Sequence, residues 1–279
     1  MQLVSIDDVP KENILKTFKN QSWLSLLAVV VVMTGITLIV ALPKSEPTNP
    51  VLVAIPTLVT LLFAGMLLLR WRECRQKENW LVKLTEGGMY INLRSYRNLH
   101  LPRDKHQALF LPKESVTGIG LTRELRYIPD RHRETKDQFS YIDIMLTPDV
   151  DLSPVQGVLY EERRLEAPQG WIKRKKYHDY PVRVLQPAGI RLVWDWMRPA
   201  ENQALEAFGE QYPLVEDRFV KLPRWGDLDK EAQAAWLQQL WEEGHEQDVM
   251  WLVRMDQKVG SSRARRYIQE HIANQDPAS

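Results

Sequence analysis

Two uncharged apolar runs, Trp23 to Leu42 and Asn49 to Leu69, constrain this chain more than any other feature. Each is about 20 residues long, and a helix rising about 1.5 Å per residue would then reach about 30 Å, the thickness of a hydrocarbon core. The link "PKSEPTNP" is too short and too proline-rich to be a domain. The pattern predicts a transmembrane hairpin, with helices at 23–42 and 51–70 and an external loop at 43–50. A cleavable signal peptide fits poorly, because the first run is too long for such a segment and some twenty residues precede it.

Cations set the expected orientation. Lys11, Lys16 and Lys19 precede the first run, Arg70, Arg72, Arg75 and Lys77 follow the second, and only Lys44 lies between them. The positive-inside rule places both termini in the cytoplasm of a two-pass bacterial inner-membrane protein, with those four residues after the second run facing anionic lipid. Neither run carries an ionisable side chain, which argues against an ion or proton pathway through the hairpin. Gly35, Gly65 and the threonines Thr34, Thr37, Thr57 and Thr60 suit close helix packing, within one chain or in a homo-oligomer. Residues 1–22 read as a cytoplasmic or interfacial segment, with Ile14, Leu15 and Phe18 on one side of a helix.

After Lys77 the pattern changes from apolar blocks to alternation. "WLVKLTEGGMYINLRSY" reads as a hairpin turning at Glu86 to Gly88. Further strands are expected at Ala108 to Leu111, Val116 to Leu125, Tyr141 to Thr147, Val155 to Arg163, Trp171 to Tyr177, Tyr180 to Leu185 and Ile190 to Trp196. A helix should follow in "RPAENQALEAFGEQY", with Ala204, Leu205 and Phe208 on one face. The fold class is therefore α+β: an antiparallel barrel or sandwich closed by one amphipathic helix.

The opening "LVKLTEGGMYINLRSY", the closing "GIRLVWDWMRPAENQALEAF" and the order of elements over residues 78–212 carry a resemblance. This stretch resembles the pleckstrin-homology-like domains of bacterial membrane proteins, in which a pair of transmembrane helices precedes such a module. In eukaryotic members the family implies phosphoinositide binding, through cations that would here be Lys83, Arg94 and Arg97. The loop Glu86 to Gly88 is too short for that site, and Arg94 and Arg97 are one residue too far apart. The bacterial members imply protein binding or assembly instead.

No residue pattern points to catalysis, a cofactor or a metal. A net charge of +1 gives no global bias toward acidic partners. The single cysteine, Cys74, excludes an internal disulfide framework and a cysteine-rich zinc site. "PDRHRETKD" sets Asp130, His132 and Glu134 at alternate positions, but no second cluster completes a coordination sphere and Arg131, Arg133 and Lys136 compete for the carboxylates. "GIG" at 118–120 lacks the third glycine of a dinucleotide fingerprint. The strongest charge run is "KRKKYH". Lys173 and Lys175 would face one side of a strand, and Arg174 and Lys176 the other, either as a solvated edge or as contacts to anionic lipid.

The tail, residues 226–274, reads as a small helical unit. Asp229 can cap a helix carrying Ala232, Ala235, Trp236, Gln239 and Leu240. Val249, Leu252 and Val253 form a second stripe, and Ala264, Tyr267 and Ile268 a third. The rhythm "DVMWLVR" then "VGSSRARRYIQ" resembles the helix pair of the ribosomal stalk protein's C-terminal domain, a factor-docking surface, although Ser261, Ser262 and Arg265 replace the leucine and lysine expected there. The resemblance implies a protein partner, met by Lys258, Arg263, Arg265 and Arg266. Nucleic acid is disfavoured because no elongated recognition helix carries these cations. The functional expectation is a membrane-anchored, non-catalytic scaffold or adaptor for protein partners, with a membrane-bound enzyme or a transport-complex subunit as the rival.

Overall fold

The computed structural model describes residues 1–21, 23–41, 50–94, 103–129, 134–164, 181–185, 187–194, 197–222, 225–242, 246–257, 259–268 and 270. The two apolar runs form α1 (Trp23–Ala41) and α2 (Pro50–Cys74). They pack side by side, and Thr37 and Thr60 share a hydrogen bond of 3.1 Å between them.

Among the described residues, however, no helix is long and apolar enough to cross a membrane. This finding overturns the expected transmembrane hairpin. The two-pass inner-membrane placement and the cytoplasmic orientation of both termini rested on that hairpin and are corrected with it. Val31, Val32, Leu38 and Ile39 of α1, and Leu58, Leu61, Leu62, Leu68 and Leu69 of α2, nonetheless hold their side chains exposed.

The rest of the chain is mixed α and β, with two sheets. The N-terminal segment is not the helix expected from Ile14, Leu15 and Phe18. It forms two short strands, β1 (Gln2–Ser5) and β2 (Lys16–Asn20). These flank β3 (Val82–Thr85), β4 (Gly88–Asn92) and β5 (Gln107–Pro112), and with β10 (Met197–Arg198) they make a six-stranded sheet in the order β1-β5-β4-β3-β2-β10. The β3–β4 turn needs Gly88, whose φ is +153° and where a Cβ would lie 2.1 Å from the Leu111 carbonyl oxygen.

The second sheet comprises β6 (Val116–Pro129), β7 (Glu134–Leu146), β8 (Val182–Leu185), β9 (Gly189–Val193) and β11 (Arg218–Lys221), in the order β11-β6-β7-β9-β8. Between β7 and β8 the strand expected at Val155 to Arg163 is instead a helix, α3 (Ser153–Arg164). Asp151 Oδ1 accepts the Ser153 N–H at 2.9 Å, and Pro154 suits a first turn. Val155 and Leu159 then fall on one buried face, a period of four that the sequence reading took for alternation. The strand expected at Trp171 to Tyr177 lies outside the described residues.

The sheets enclose one apolar core. Leu84, Met89, Ile91 and Leu109 from the first meet Ile119, Ile142, Ile144 and Ile190 from the second. Helix α4 (Glu201–Gly209) adds Ala204, Ala207 and Phe208. Phe18 of β2 stacks on Phe208 at 5.0 Å between centroids and meets Trp194 edge-on at 5.3 Å, so the N-terminal strand shares a core with the final helix of this domain. Asn79, 2% exposed, donates from Nδ2 to the carbonyls of Asn20 (2.8 Å) and Cys74 (2.7 Å). One side chain thereby ties the strand that leads into α1 to the end of α2.

A separate core joins α5 (Lys230–Glu242), α6 (Glu246–Asp256) and α7 (Ser261–Ile268) through Leu237, Leu240, Val249, Leu252, Val253, Ala264 and Ile268. Asp229 Oδ1 accepts the Ala232 N–H at 2.8 Å and caps α5. Leu237 and Leu240 are buried on that helix, while Ala235 and Gln239 are exposed.

Candidate functional site

The sequence-selected cations that the structure describes lie at the end of α2, in the turn after it and on α7. Arg70 lies in α2, Arg72 is exposed at its end, and Lys77 is exposed in the turn that follows. Arg75 is also exposed and sets its guanidinium 4.6 Å over the Trp71 ring. Cys74 is a half-buried free thiol. Lys173, Arg174, Lys175, Lys176 and Lys258 lie outside the described residues, as do Arg97, Asp130 and His132. Arg263 and Arg266 are exposed three residues apart on α7, where such spacing shares a face, and Arg265 belongs to the same helix. Among the described residues no group of three His, Cys, Asp or Glu could hold a metal ion.

The two described cations of the implied inositide site, Arg94 and Lys83, have partners within the fold. Arg94 is 1% exposed, and its guanidinium holds Glu162 of α3 through two bonds, Nε to Oε2 at 2.8 Å and Nη2 to Oε1 at 2.5 Å. Asn92 Oδ1 accepts the Arg94 backbone N–H at 3.0 Å and lies 2.7 Å from His106 Nε2, while Asn92 Nδ2 donates to the carbonyls of Glu78 and Trp80. Burial, then the nearby positive charges of Arg94 and Arg103, push the His106 pKa down to about 3, which keeps the ring neutral at pH 7. Lys83 is half-buried, with its ammonium 4.7 Å from the Trp80 ring and 3.5 Å from the Pro10 carbonyl. Burial, followed by Lys19 and Lys11, lowers its pKa. An arginine clamped by a buried carboxylate offers little to an anionic ligand. The cluster fixes α3 to the first sheet.

A second cluster occupies the non-core face of the other sheet. Asp143 Oδ1 and Oδ2 accept from Arg191 Nε and Nη2, each at 2.8 Å, and Oδ2 also accepts the Thr122 hydroxyl at 2.7 Å. Glu124 stands 3.9 Å from the same guanidinium. Arg183 and Arg191 both lie over the Tyr141 ring, at 5.4 and 4.8 Å. Register explains the grouping: Asp143 faces Arg191, Tyr141 faces Thr122, and Arg183 faces Arg191. Here too the charges neutralise one another within the fold.

The edge of that sheet is different. Among the described residues β11 pairs only with β6 and is the terminal strand of its sheet. All four of its side chains are exposed, Phe219 at 63%, and Leu214 and Val215 just before it are exposed as well. The chain reaches this position because Gly118 and Gly120 leave room for it. A Cβ at either would come within 2.5 or 2.6 Å of a Val215 methyl. The "GIG" motif that fails as a nucleotide fingerprint is thus a seat for residues 213–215, fixed by bonds from Ile119 N–H to the Pro213 carbonyl and from Val215 N–H to the Ile119 carbonyl, both 2.9 Å.

Sequence reasoning passed over β11 because "RFVK" is only four residues with a charge at each end. The two glycines were the available signal. An edge strand presents backbone N–H and C=O groups on its open side, and exposed apolar side chains beside them make a template for another strand. No family model, curated protein or solved structure matches the chain.

Proposed function

We propose that the two-sheet domain is a pleckstrin-homology-like module and that the protein is a non-catalytic scaffold or adaptor. It docks protein partners by strand addition along β11. The observation that carries this reading is the exposure of Phe219, beside Val220, on a terminal strand that the fold has made room for. Natural sheets ordinarily blunt such edges with charge, proline or cover. Here Arg218 and Lys221 bracket the apolar pair without masking it. Buried carboxylates engage Arg94 and Arg191 within the fold, which supports recognition rather than chemistry. The helical unit follows β11 in sequence, and its α7 bears the exposed Arg263 and Arg266 as a second docking face.

The test is purification of the full-length protein from its native source in a mild non-ionic detergent, which covers the apolar faces of α1 and α2. Mass spectrometry then identifies what stays bound, beside the same preparation of Phe219→Lys and of a chain lacking residues 227–279. The reading expects a stoichiometric partner lost on Phe219→Lys. A partner retained by that variant and lost on truncation would move the docking surface to the helical unit.

A further inference from the structure

The backbone of β11 narrows which strand it can take. Leu222 N–H donates to the Leu125 carbonyl at 3.0 Å, and β11 runs parallel to β6 with Arg218 beside Thr122 and Lys221 beside Leu125. Successive residues of a strand aim their backbone groups to opposite sides. Arg218, Val220 and Leu222 therefore turn theirs to β6, and Phe219 and Lys221 turn theirs to the open side. An antiparallel strand hydrogen-bonded to that side must set one outward residue opposite another.

For a second copy of this chain related by a two-fold axis, two registers near the centre meet this rule. One sets Phe219 opposite Phe219 of the second copy. The other sets Phe219 opposite Lys221. The first also brings Asp217, the residue just before β11, toward Lys221 at both ends as an opposite-charge pair; the second leaves Lys221 opposite an apolar ring. Asp217 is available for this. Its side chain is 51% exposed, and its contact with Arg123 is long, at 3.8 Å. Lys221 forms no ion pair among the described residues and only reaches over the Tyr127 ring at 5.6 Å.

We propose that β11 pairs antiparallel with β11 of a second copy about a two-fold axis at Phe219, joining two five-stranded sheets into one. This rests on the reading of β11 as a docking edge, and names its occupant. The contact is self-complementary, as a two-fold interface must be. It is also short, so it forms and breaks with concentration rather than locking.

Disulfide trapping in the full-length protein, in non-ionic detergent and with Cys74→Ser to remove the native thiol, tests it. Hydrogen-bonded antiparallel partners have Cα atoms about 5.5 Å apart, within disulfide reach. Phe219→Cys should give a covalent dimer on mild oxidation. Val220→Cys should stay monomeric, because the two copies of position 220 stand diagonally across the axis. Asp217→Lys added to Phe219→Cys should slow trapping about fivefold, and further addition of Lys221→Asp should restore it. Monomer from Phe219→Cys, or equal trapping at both positions, overturns the second copy as occupant. If Phe219→Lys nonetheless strips a co-purifying protein, the docking edge stands with a different occupant; if it strips nothing, both readings fall.

Discussion

Arg94 and Phe219 sit in one domain and invert the usual roles of charge and apolarity. Arg94 buries a full charge and satisfies it with Glu162, while Phe219 exposes an aromatic ring beside an open backbone edge. The first arrangement costs desolvation and returns a fixed position for α3; the second forgoes burial and keeps a surface available. A charged cluster is therefore no guide to the working surface of this protein.

The largest effect should come from breaking the buried pair. Arg94→Leu leaves Glu162 charged and unpartnered and should lower stability by about 3–5 kcal/mol in urea denaturation, whereas Arg94→Leu with Glu162→Leu should recover most of the loss. A single substitution costing under about 1 kcal/mol would erase the contrast with β11.

His106 sharpens it through pH. In the unfolded chain the ring takes up a proton as pH falls through about 6.5, but in the fold it resists until about 3. The unfolded state then binds more protons across that window, so stability falls as pH falls from 6.5 toward 3, by on the order of 4 kcal/mol from this group. His106→Gln should flatten that slope in denaturation curves taken between pH 7 and pH 4.

On the other side of the comparison, Gly120→Val puts a side chain into Val215 and should cost about 1–3 kcal/mol. It should also raise hydrogen exchange across residues 213–221 ahead of β6. The smallest effect on stability is expected from Phe219→Lys, within about 0.5 kcal/mol, even though it removes the proposed docking contact.

The two regions also differ in how far the sequence revealed them. The β3–β4 hairpin was legible because Gly87–Gly88 punctuates two alternating runs, and the helical tail because Ala264 and Ile268 recur at helical spacing. β2 was not, since Phe18 is its only large apolar residue and its burial depends on Trp194 and Phe208, far along the chain. α3 was misread because "VLYEERR" alternates locally, although Asp151, Ser153 and Pro154 announce a helix. The Arg94–Glu162 pair joins residues 68 apart, which no local pattern encodes. The apolar runs were legible as helices, and their length suggested a span that the described residues do not provide. β11 owes its place to Gly118 and Gly120, residues outside the strand itself.

Hydrogen–deuterium exchange of the full-length protein, at low concentration and then as the complex that forms at high concentration, tests the docking edge most directly. The account predicts that a peptide covering 218–222 gains protection in the complex at Phe219 and Lys221, the residues whose backbone faces outward, while β8 at the opposite edge is unchanged. Equal exchange at β11 in the two states would contradict it.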